Sequence, residues 1–154
     1  MQWPTYLAAA IGAIAGSLGT GIADRFRWHR DVSERERQER QTAYANFLDA
    51  VKRTGIAISQ AAHEETLPLE DRARQARQAM GQHGLYETQA QAELCAPKTI
   101  IPLMNELVRA LLSLRDAVIG GELPGAPRYE GAWLKVHTDT VQVREAMRTT
   151  LSRK

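Results

Sequence analysis

Between Trp3 and Ala23 the chain runs for 21 residues without Asp, Glu, Lys, Arg or His. Because the sequence is 25% charged, chance would leave such a gap in roughly one window in four hundred, and at about 1.5 Å per residue a helix of that length covers about 31 Å, the depth of a bilayer's hydrocarbon core. Inside the run, "IGAIAGSLGTGIAD" carries four glycines. A phosphate-cradling loop would need a β-strand before it, a helix after it and, in a P-loop, a Lys beside the last glycines. Ile22 stands where that Lys would be, and the Ala-rich residues upstream are poor strand formers. A membrane-spanning helix accounts for both the length and the missing charges.

On a helical wheel Leu7, Ile11, Ile14, Leu18 and Ile22 share one face, and Ala8, Gly12, Gly16 and Thr20 form a ladder of small residues on the other. In lipid such a smooth face lets a second helix approach closely, so a second copy of the chain or another membrane helix fits against it. A soluble amphipathic helix would need charges on its exposed back, and none is present. The opening "MQWPTY" lacks the basic start of a secretory signal peptide. Arg25, Arg27 and Arg30 follow the apolar run, placed to meet lipid headgroups; by the positive-inside rule the N-terminus lies outside and the remainder is cytoplasmic. A single pass through the cell membrane is expected, with residues 1–23 as the anchor.

Residues 24–43 read as a charged helical stalk. Arg30 with Glu34, Arg35 with Glu39 and Glu36 with Arg40 are spaced for i,i+4 pairing, and Ser33 with Glu36 has capping-box spacing. Residues 44–154 carry apolar stripes at helical spacing. Tyr44, Phe47, Leu48, Val51, Ile58 and Ala62 make the first, with Gly55 marking a close helix crossing. Ala73, Ala76 and Met80 make a second after Pro68, and Gly81 and Gly84 interrupt it before a short helix over 85–94. The third, from Ile100 through Leu107 and Leu111 to Val118, is the most apolar and should be central; its recurrent charges exclude a second span. A linker "GGELPGAPRYEG" then leads to Trp133, Val136, Thr140, Val143, Met147 and Leu151. The fold class expected is all-α: an N-terminal transmembrane helix followed by an antiparallel bundle of about four helices.

With "RERQERQTAYANFLDA" after an uncharged span, the chain resembles the small single-pass membrane proteins of unknown function common in GC-rich bacteria. The likeness extends loosely through "AELCAPKTIIPLMNELVRALLSLRDAV" to "VREAMRTTL". The resemblance implies an anchored cytoplasmic helical bundle and brings no catalytic residues with it.

Chemistry-bearing residues are sparse. Cys95 is the sole cysteine, so neither a disulfide framework nor a multi-cysteine metal site is available within the chain. His29, His63, His83 and His137 are scattered, with no i,i+4 pair to share a metal. "HEE" at His63 reads as a solvated helix end, and Arg72, Arg74 and Arg77 form a short basic ridge without interleaved aromatics. A formal charge of +2 supplies no field for nucleic acid. No catalytic residue, cofactor or metal is expected. The partners expected are the bilayer and a cytoplasmic protein, making the chain a structural, scaffold or interaction module. Alternatives are a holin-like or toxin-like membrane-active protein, and a ligand sensor with a pocket in the bundle.

Overall fold

The computed structural model describes residues 34–152, and contacts divide the chain into two units, Met1–Glu39 and Arg40–Lys154. The expected membrane helix, with Ala8, Gly12, Gly16 and Thr20, and the headgroup arginines Arg25, Arg27 and Arg30 lie outside the described residues. Among those described, no helix is long and apolar enough to cross a membrane. Of the first unit, residues 34–39 are helical and exposed. Arg35 and Glu39 form no ion pair there, in line with the few tenths of a kcal/mol that an exposed i,i+4 pair gains against solvent.

The second unit is all-helical among the described residues. Within it residues 40–63 form α1, followed by α2 (Leu69–Gln82), α3 (Leu85–Cys95), α4 (Ile101–Ile119) and α5 (Pro127–Ser152). α1 buries Tyr44, Phe47, Val51, Thr54, Ile58 and Ala62, three or four residues apart, so one face of the helix enters the core. Leu48, expected on that stripe, is only half-buried. α2 starts after Pro68 with Glu70 and Asp71 in its first turn, where carboxylates meet the positive helix end. It stops at His83 because Gly84 takes a left-handed φ of +63°, and α3 begins immediately afterwards.

α4 is the axis of the bundle. Met104, Leu107, Leu111, Leu114 and Val118 have no measurable exposure. The helix begins at Ile101, with Pro102 in the first turn, where no amide hydrogen is needed; residues 97–100 are a turn closed by the Ile100 amide donating to Pro97 at 2.9 Å. Its end is a Schellman motif: Gly121 has φ +87°, and the amides of Gly121 and Glu122 donate to Val118 and Ala117, each at 3.0 Å. α5 begins at Pro127, inside the stretch expected to be linker, because proline is well suited to a first helical turn and Arg128 to Gly131 continue it.

Three contacts fix the helix directions. Leu69, first in α2, packs within 3.5 Å of where a Cβ on Gly121 would sit, at the far end of α4. The Tyr129 hydroxyl, early in α5, donates to Ser59 Oγ, late in α1, at 3.1 Å. Lys135 of α5 reaches Glu106 of α4 at 3.9 Å across the hairpin that joins them. α1, α2, α4 and α5 therefore run alternately up and down, with α3 spanning the end between α2 and α4. Gln89 of α3 ties it to α4 by donating to Asn105 Oδ1 at 2.8 Å.

Candidate functional site

Two surface concavities flank α5, and their electrostatics differ. On one side, α4 and α5 border an open concavity of about 530 Å³ beside Leu103, Glu106, Leu134, Lys135 and Asp139. Every charge here is already paired. Asp139, 7% exposed, accepts from Lys135 at 2.9 Å, and Glu106 stands 3.9 Å from the same ammonium. The hydrogen bond to Asp139, assisted by Glu106, holds the Lys135 ammonium above its ordinary 10.5. With its charges neutralised internally, this pocket has no electrostatic demand for a ligand.

On the other side, a groove of about 610 Å³ lies between α1 and α5. Val51, Gly55 and Val136 form its buried floor. Leu48 and Trp133, partly buried, wall it, and Ile56 and Val141 line it while remaining 43% and 53% exposed. Its polar rim is Asp49, Lys52, His137, Thr140 and Arg144. Asp49 is ion-paired with Arg53, one turn on. Thr140 turns its hydroxyl back to Val136 O at 2.6 Å, and the His137 ring stands edge-on to Trp133, with centroids 5.5 Å apart. Lys52 and Arg144 are exposed and form no ion pair among the described residues. The groove thus combines an apolar floor with two uncompensated cations, one on each wall.

Other sequence-derived candidates are not brought together into a site. His63 Nδ1 hydrogen-bonds Ser59 O at 2.8 Å, and His83 occupies the position that ends α2; His29 lies outside the described residues. Cys95 Sγ meets the carbonyls of Ala92 and Gln91 at 3.4 and 3.6 Å. Among the described residues, no group of three His, Cys, Asp or Glu side chains is placed to hold a metal ion. The basic ridge of α2 does not form: Arg72 is 9% exposed, whereas Arg74 is paired with Asp71 at 3.1 Å. Arg72 lies four residues before Ala76 and so shares the buried face of α2, but that a guanidinium there is covered depends on the helices packed against it.

The groove went unnoticed in the sequence because Ile56 and Val141 lie just off the main stripes of α1 and α5. The signal was present: each is an apolar residue within one turn of a cation, Lys52 or Arg144. Fold and site together define an up-and-down all-α bundle with an open inter-helical groove. No family model, curated protein or solved structure matches the chain.

Proposed function

We propose that this chain is a membrane-tethered interaction module: residues 1–23 hold it in the cell membrane by a single pass, with the N-terminus outside, and the helical bundle docks a cytoplasmic partner. The observation that carries the docking half is the α1/α5 groove, where Ile56 and Val141 stay 43% and 53% exposed beside an apolar floor. Concave apolar surface of this kind marks interaction sites. The tether half is supported by the uncharged run Trp3–Ala23 and the arginines behind it. Ala8, Gly12, Gly16 and Thr20 are the surface on which the span would meet another helix, and Arg25, Arg27 and Arg30 the residues that would meet headgroups.

The proposed role is non-enzymatic and without a cofactor; the chain's one thiol, Cys95 Sγ, hydrogen-bonds the carbonyls of Ala92 and Gln91 within its own helix. The openness of the groove favours a protein partner over a small ligand, which a sensor would enclose on most sides. Alkaline carbonate washing of vesicles tests the tether. The full chain is expected to stay in the pellet, and Ile14→Arg, which places a charge mid-span, should move a large fraction to the supernatant. Release of the unaltered chain would end the membrane reading.

A further inference from the structure

We infer that the α1/α5 groove receives an amphipathic helix with an acidic flank on a partner protein, a conclusion that rests on reading the groove as a docking site. Lys52 and Arg144 are the reason. They stand exposed on opposite walls with no carboxylate opposed to either among the described residues, the rim's own Asp49 being taken by Arg53. Bound apolar surface between them would exclude water from their surroundings and strengthen their attraction for a partner's carboxylates.

Dimensions specify the occupant. Lining residues run from Leu48 to Ile56 on α1 and from Trp133 to Arg144 on α5, about 12 and 17 Å of helix, which matches about three turns of a partner helix. Residues at i, i+3 or i+4, and i+7 of that helix would fill the floor between Trp133 and Leu48. The antiparallel register fixed by Ser59 with Tyr129, and by Tyr44 beside Thr150, sets Arg144 level with Leu48. Lys52 and Arg144 are therefore about one turn apart along the groove, so partner carboxylates one turn apart on its two flanks would meet both.

Other occupants fit less well. A second copy joined through this face would offer the two cations a single rim carboxylate, Asp49, already paired with Arg53. The chain's own Trp3–Ala23 contains no carboxylate to answer either cation. A free acyl chain would be left uncovered on the side where Ile56 and Val141 face solvent.

The test uses the full-length protein in phosphatidylcholine nanodiscs or, if it does not integrate, in buffer. It is titrated with three labelled peptides of about sixteen residues that share one leucine stripe and carry Glu, Gln or Lys on the flanks. Anisotropy should show the Glu peptide binding about tenfold or more tightly than the Gln peptide, and the Lys peptide weakest. K52E/R144E changes two exposed side chains and should invert that order. Equal binding of Glu and Gln peptides, or an order that K52E/R144E leaves unchanged, overturns the proposal. If Ile56→Glu removes binding of all three while flank charge has no influence, the groove remains a docking site and its acidic preference is lost. If no peptide binds, both fall. K52E/R144E-sensitive binding of phosphatidylglycerol vesicles, or of a second copy, in place of the Glu peptide also overturns it.

Discussion

Tyr44 is a buried phenol whose hydroxyl sits beside Thr150 without completing a hydrogen bond. Burial pushes its pKa above the ordinary 10.0; the Thr150 hydroxyl and Arg40 pull it down and Cys95 pushes it further up, but burial is the largest effect. A folded-state pKa above the unfolded value means that Tyr44 favours the fold while it is neutral. Its contribution is complete below pH 10 and is lost as pH rises through the higher folded-state value. Tyr44→Phe removes an unpartnered polar atom, so at neutral pH stability should stay the same or rise by up to about 1 kcal/mol. Above pH 10 the variant should lose less stability than the parent, measured by urea unfolding across the alkaline range. A loss above about 2 kcal/mol at neutral pH would show that the hydroxyl is bonded after all.

At the scale of the element, two glycines have opposite roles. Gly55 lies mid-helix in α1, and a Cβ there would meet Leu111 Cδ2 at 3.6 Å, an ordinary contact. The close crossing expected from its position is not required, so Gly55→Ala should stabilise by about 0.5 to 1 kcal/mol through helix propensity. Gly121 ends α4 with φ +87°, which an L side chain rarely adopts. Gly121→Ala should destabilise by about 1 kcal/mol or more, because it strains the left-handed position on which both Schellman amides depend. Thermal melts of the two variants should move in opposite directions.

For the molecule as a whole, α4 carries the consequences of packing. Leu111 has no exposure and faces α1 at Gly55, whereas Leu94 of α3 is 91% exposed. Leu111→Ala should cost about 2 to 5 kcal/mol, a large part of a typical domain's stability, and Leu94→Ala should change it by less than about 0.5 kcal/mol. Chemical denaturation of the pair measures whether the core is organised around α4. The same packing explains the groove: α1 and α5 each commit one face to the common core, and the shoulders beside those faces, at Ile56 and Val141, are left uncovered.

Helical periodicity is a local property, set by side chains three and four residues apart, and it was readable for α1, α2, α4 and the body of α5, whereas α3 was marked only by the glycines before it and the first turn of α5 was read as linker. The stripes of α1 and α4, the break at Gly84 and the stop at Gly121 follow from it directly. Burial of Tyr129, Asp139 and Arg72 does not, because whether an amphipathic or charged side chain is covered depends on a helix distant in the chain; Tyr129 is covered where Ser59, seventy residues earlier, accepts its hydrogen bond. Leu48 and Trp133 illustrate the same division. Their spacing announced an apolar face, but only the packing of α1 beside α5 decided that this face would be a half-open groove instead of sealed core. Periodicity specifies which way a side chain points, and tertiary packing alone decides what, if anything, it points at.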